Sequence, residues 1–153
     1  MRIRFFHPNR KLAGFLLARG DGQEPYTVVM RRWGTITGRF VDSSGKPLVS
    51  DQNASGKASP SLNLYASPLW DRKDFNDATL GELPSSRVDA EHRFWVEGCV
   101  PGQRYSARIY HQFASRGTAF ENLILQPGET HDLGDVRLEP PTPSKATVTP
   151  PGG

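Results

Sequence analysis

The chain has 153 residues, 36% hydrophobic and 23% charged, with a net charge of +3. That length holds one domain of ordinary size, and no window reaches the ~18 uncharged apolar residues of a membrane helix. The single Cys99 excludes an internal disulfide and a Cys-rich zinc site, and the 15 Gly and 13 Pro break the chain too often for a helical bundle.

The first residues, Met1 to Pro8, carry no apolar leader core, so no export signal is visible. Residues 1–32 read as N-terminal strands. Arg4-Phe5-Phe6-His7 echoes Arg108-Ile109-Tyr110-His111, and Val28-Val29-Met30 echoes Val136-Arg137-Leu138. Residues 1–32 are therefore either the end of a preceding module in a tandem array or extra strands on the edge of one sandwich.

From residue 33 the apolar residues recur with period two. The runs are Thr35–Val41, Ser61–Ala66, His92–Val96, Tyr105–Tyr110 and Leu133–Leu138. Alternation of this kind means strands with one buried and one wet face, as in antiparallel sheets. Turn signals separate the strands. In Asp42-Ser43-Ser44-Gly45-Lys46-Pro47 the Asp bonds the backbone two residues on, Gly45 supplies a positive φ, and Pro47 delays the next strand. Val100-Pro101-Gly102-Gln103 and Gln126-Pro127-Gly128-Glu129 place Pro then Gly at the centre of type II turns and read as hairpin punctuation. Two polar stretches, around 50–60 and 67–91, show no clear period. Residues 140–153, rich in Pro and Thr, read as a disordered tail. The expected fold is an all-β, antiparallel, Ig-like sandwich of about seven strands over 33–139, with extra N-terminal strands before it.

Three segments together resemble the carboxypeptidase regulatory-like domain. Gly34–Leu48 is similar to its opening "G-x-V-x-G-x-V-x-D" strand and "x-G-x-P-L" turn. Phe94–Tyr105 is similar to its "F-x-F-x-G-L-x-P-G-x-Y" signature, and Asp132–Leu138 to its closing strand. The resemblance implies a prealbumin-like (transthyretin-like) sandwich and a non-catalytic module of exported or cell-surface, often bacterial, proteins. It makes Asp42, Gly45, Pro47, Gly98, Pro101, Gly102 and Tyr105 architectural. Cys99 stands at the usual Leu position, which a small buried hydrophobe can fill.

The chemistry-bearing residues form no familiar constellation. His7, His92, His111 and His131 include no H-x-H or H-x-x-x-H pair, so no metal ligand set is read and no cofactor is expected. No G-x-S-x-G elbow marks a serine hydrolase, and no cation stands next to Cys99 to activate it. Asp71, Asp74 and Asp77 lack the one-three-five spacing of a calcium loop. Scattered Arg residues without a recognition motif leave nucleic acid unsupported as a partner. The aromatics are the more telling group. Trp95, between Phe94 and Val96, faces opposite to them, outward or toward a second layer, and Trp70 and Phe75 sit in a polar loop, where they either stand exposed or fold back to cap the sandwich end. Exposed rings can anchor a protein or stack on a sugar. The expected function is a non-catalytic module bound to a protein or to neighbouring domains. The alternative is a carbohydrate-binding module using the loop aromatics Trp70 and Phe75, and the possible ligand-contact residues are Trp70, Phe75 and Trp95.

Overall fold

A computed structural model describes residues 2–18, 25–48, 59–67, 79–80 and 84–140. The chain order is β1 (Arg2–His7), β2 (Leu12–Leu17), β3 (Arg31–Arg32), β4 (Gly34–Val41), β5 (Ser61–Ser67), β6 (Thr79–Leu80), β7 (Ser85–Val88), β8 (Arg93–Cys99), β9 (Arg104–His111), β10 (Ala114–Ile124) and β11 (Thr130–Arg137). One 3-10 turn, Pro8–Arg10, joins β1 to β2, and no α-helix occurs among the described residues.

Two sheets face each other, one in the order β11-β4-β8-β7 and the other β10-β9-β5. These supply the seven strands of an all-β sandwich. Alternation places Ile36 and Phe40 of β4 and Phe94 and Val96 of β8 inward. From the other side come Leu62, Leu64, Tyr105, Ala107, Ile109 and Phe120, and all join one core. The Phe40 and Phe94 rings meet at 4.8 Å with a 35° tilt. Two inward positions on β4 are glycines because neighbours already fill the space. A Cβ on Gly38 would lie 2.5 Å from Phe94 Cζ, and one on Gly34 would lie 2.5 Å from Leu125 Cδ1.

β4 pairs antiparallel with β8 but parallel with β11. After β11 the chain closes the sandwich edge. The Leu138 N–H donates to the Val41 carbonyl, and the Glu139 N–H donates to the Arg116 carbonyl on β10.

The Pro-Gly corners differ from the hairpins expected of them. Both are tight turns: Gln103 N–H donates to the Val100 carbonyl and Glu129 N–H to the Gln126 carbonyl, with Gly102 at φ +80° and Gly128 at φ +72°. Yet β8 and β9 lie in opposite sheets, as do β10 and β11. Each corner therefore carries the chain across the core. The glycine N–H groups face other segments: Gly102 donates to the Leu125 carbonyl and Gly128 to the Arg32 carbonyl. A turn whose Gly alone takes positive φ splays its flanking strands instead of aligning them as a two-residue hairpin does, so it suits a crossing between sheets.

The N-terminal strands build a third sheet, β3-β2-β1-β6, in which β6 joins β1 in parallel. β6 comes from the 33–139 stretch, so the sheet ties both parts of the chain together. Trp33 links the third sheet directly to β4, its N–H donating to the Lys11 carbonyl. The echoing segments sit differently: Val136 and Arg137 lie in β11, whereas Val28–Met30 are in no strand. Residues 141–153, and most of the two polar stretches, lie outside the described residues.

Candidate functional site

The outer face of the four-stranded sheet gathers polar and aromatic side chains by register. β4 projects Thr35, Thr37 and Arg39 outward between its buried residues, and β8 projects Arg93, Trp95 and Glu97. Trp95 pairs with Thr37 on one side and with Arg87 of β7 on the other. Asp132 and Asp135 of β11 lie opposite Thr37 and Arg39. Three residues apart, these carboxylates would point to opposite faces of a regular strand. A bulge between them restores the shared face. Gly134 takes φ +68° there and donates its N–H to Asp132 Oδ1 at 2.9 Å.

Arg39 and Arg93 are directly opposed, an unfavourable pairing of like charges. Carboxylates offset it. Arg39 makes a two-pronged contact with Asp135, Nε to Oδ1 at 3.0 Å and Nη2 to Oδ2 at 3.2 Å. Arg93 reaches Asp89 Oδ2 through Nε at 2.9 Å and Glu91 Oε2 through Nη2 at 2.9 Å. Arg87 Nη2 lies 3.2 Å from Glu97 Oε2. Pairs this exposed contribute little to stability one by one, and it is the two-pronged Arg39–Asp135 contact and the bridging of Arg93 between Asp89 and Glu91 that set where these planar groups lie. Burial pulls the Asp89 carboxyl upward. The Arg93 backbone N–H, the Arg93 guanidinium and the Glu91 N–H outweigh it, so Asp89 titrates below the usual carboxylate range. The hydrogen bond to Asp89, helped by Glu91, pushes Arg93 up in turn. Between Thr37, Arg39, Arg93, Trp95, Asp132 and Asp135 lies an open cleft of about 400 Å³. It offers an indole beside charged, pre-positioned donors and acceptors.

The other outer face has a second cleft of about 330 Å³, lined by Tyr65, Ser106, Arg108, Thr118 and Glu121. Sequence reading missed it, although Tyr65 follows the alternation after Leu62 and Leu64 that turns it outward.

The turn residues singled out from sequence occupy special backbone sites. Asp42 Oδ1 accepts the Ser44 N–H, the Ser44 hydroxyl and the Lys46 N–H at 2.9, 2.7 and 2.8 Å. Those bonds, the Ser44 hydroxyl foremost, lower its pKa. Gly45 takes φ +86°, and Pro47 forms a bridge to Val41. Gly98, φ +88°, is the extra residue of a bulge between β8 and β4, with Phe6 and Trp33 packed over it. Pro101 and Gly102 form the first corner. Tyr105 is fully buried, and its hydroxyl accepts the Val100 N–H at 3.0 Å. Trp70 and Phe75 lie outside the described residues.

Cys99 is fully buried, and its thiol points at the Val96 carbonyl, 3.9 Å away. Burial pushes the thiol up to about 12. His92 is buried in a turn, and His111 and His131 belong to strands of opposite sheets. Among the described residues no three His, Cys, Asp or Glu side chains gather as a metal site would require, and no helix is long and apolar enough to cross a membrane.

A scan against family models and searches of curated proteins and of solved structures give no match. The family resemblance therefore rests on residues 34–48, 94–105 and 132–138 alone.

Proposed function

We propose that the chain is a non-catalytic β-sandwich module of a larger exported or surface-associated protein, with a structural or protein-binding role exercised through the face around Trp95. The carrying observation is the cleft between β4, β8 and β11. There a half-exposed indole stands beside guanidinium groups already held by carboxylates. Aromatic and Arg side chains dominate binding energy at protein interfaces. Groups held in place before contact lose little entropy on binding. The three family signatures support the same reading, because each falls on a turn or bulge that shapes the sandwich.

The same cleft supports the second reading, a carbohydrate-binding module, since a sugar ring needs an aromatic platform flanked by hydrogen-bonding groups. Titration of wild type, Trp95→Ala and Trp70→Ala against a glycan array, beside cross-linking of the same three proteins in a cell-envelope extract, separates the two. One protein cross-linked to wild type and lost in Trp95→Ala supports the first reading. Glycan binding lost in either variant supports the second. Turnover of a hydrolase or oxidase substrate by the purified chain would count against both.

A further inference from the structure

Charge is unevenly placed along this chain. Residues 1–32 hold seven Lys or Arg and two Asp or Glu, while residues 33–153 hold twelve and fourteen. The mild overall charge thus hides a basic N-terminal part on a slightly acidic sandwich. The fold then concentrates the cations. Arg10 and Lys11 form the turn between β1 and β2, and Leu12, next in line, pairs with both His7 and Arg32. Arg31 pairs with Ala13 beside them. Arg10, Lys11, Arg31 and Arg32 are all exposed, and none forms an ion pair among the described residues. On the sandwich Arg39, Arg87 and Arg93 are each matched to a carboxylate, while Arg108 and Arg137 form no ion pair among the described residues.

The same sheet carries exposed apolar side chains. Its inner face turns Phe6 toward Gly98 and Trp33. Phe5, Leu12 and Arg32 project from the opposite face, since residues paired across strands share a face and neighbours along a strand alternate. Residues 28–30 cross that outer face at Gly14, and a Cβ added there would lie 2.6 Å from the Val29 carbonyl oxygen. Val29 is left 64% exposed and Phe5 37%. An apolar patch rimmed by cations that form no ion pair among the described residues suits an interface that is itself apolar beneath an anionic surface. Cations draw toward anionic headgroups, and apolar side chains enter the acyl boundary below them. A soluble polyanion such as a nucleic acid or a sulfated glycan would use the cations and leave Val29 and Phe5 in water.

We propose that the outer face of the β3-β2-β1 sheet docks on an anionic lipid surface, with Arg10, Lys11 and Arg32 at the headgroups and Val29 and Phe5 below them. This contact is separate from the Trp95 face. The test is co-sedimentation of the full chain with phosphatidylcholine vesicles, with and without phosphatidylglycerol. Binding is expected only with phosphatidylglycerol, and it should be lost near 1 M salt, where the screening length falls to ~3 Å. The triple variant Arg10→Glu, Lys11→Glu, Arg32→Glu should bind about 100-fold more weakly. Val29→Ser, which touches no charge, should weaken binding several-fold. Far-ultraviolet circular dichroism and melting of both variants establish that they fold. The proposal is overturned by equal binding to neutral vesicles, by no binding to either, or by folded variants that bind like wild type. It is also overturned if heparin or an oligonucleotide binds the chain equally well with Val29 and with Ser at that position.

Discussion

Gly45 and His92 occupy the same left-handed position, at φ +86° and +61°, in two turns built alike. In one, Asp42 N–H donates to the Lys46 carbonyl, Gly45 N–H to the Asp42 carbonyl, and Asp42 Oδ1 accepts from residues 44 and 46. In the other, Asp89 N–H donates to the Arg93 carbonyl, His92 N–H to the Asp89 carbonyl, and Asp89 Oδ1 accepts from residues 91 and 93. An L-residue in this conformation costs roughly 1–2 kcal/mol, which glycine avoids. Gly45→Ala should therefore destabilise by about 1–2 kcal/mol, with the Arg137 side chain swinging aside from the new methyl. Gly45→Asn, better suited to this conformation, should lose less. Urea midpoints of the two variants at unchanged slope are the measurement, and equal midpoints for Gly45→Ala and wild type would contradict the strain.

The paired turns have an acid signature. Both carboxyls titrate below their unfolded values, Asp42 through the Ser44 hydroxyl and nearby N–H groups, and Asp89 through Arg93 and Glu91 against the pull of burial. A carboxylate depressed on folding contributes stability above its unfolded pKa, near 3.8. That contribution falls away as pH drops toward the lower folded value. Melting temperature followed from neutral pH downward should fall below about pH 4 for wild type. The drop should be shallower for Asp42→Asn, which starts lower because its neutral amide oxygen accepts the same three groups more weakly than a carboxylate does. Parallel acid limbs for the two proteins would remove Asp42 from the transition.

Much of the sandwich was legible because its strands alternate cleanly. β4, β5, β8, β9 and β11 each contain a run of period-two residues, and Gly102 and Gly128 announce their left-handed backbone by following Pro. β10 was not legible. Its pairing with β9 slips three times, and Gly117 and Asn122 take positive φ, so its inward residues do not recur with period two. β7 was hidden because Ser85, Ser86 and Arg87 are exposed on both of its faces and an edge strand needs few apolar residues. Trp95 could be turned away from its buried neighbours Phe94 and Val96, but whether it met solvent or a second layer could not be read. Its companions Asp132 and Asp135 could not be placed with it, because only the Gly134 bulge brings both to one face. The corners at Pro101 and Pro127 show a further limit. A tight turn is written locally, but whether its flanking strands join one sheet or two depends on the twist that turn imposes and on where each strand finds its pairing partner in the fold.

Tyr105 joins turn to core. Its ring is fully buried while its hydroxyl satisfies the Val100 N–H just before the first corner. Tyr105→Phe keeps the ring and strands that buried N–H, and should cost about 1–3 kcal/mol in urea unfolding. Val100 is itself buried, so water cannot take over the bond without opening the corner. A loss within error of zero would mean that the N–H finds another acceptor.

Gly38 and Phe94 share one space. A methyl on Gly38 would meet Phe94 Cζ at 2.5 Å, with the Gly134 carbonyl oxygen 3.2 Å away on the other side. The ring is locked against Phe40, so it cannot turn aside freely. Gly38→Ala should destabilise by about 1–3 kcal/mol through overpacking. Phe94→Leu alone should also destabilise, through the cavity it leaves. Combined, the two should cost less than the sum of the singles, because the smaller side chain admits the methyl. Strict additivity in the double-mutant cycle would show that Gly38 is required for its backbone and not for the room that Phe94 takes.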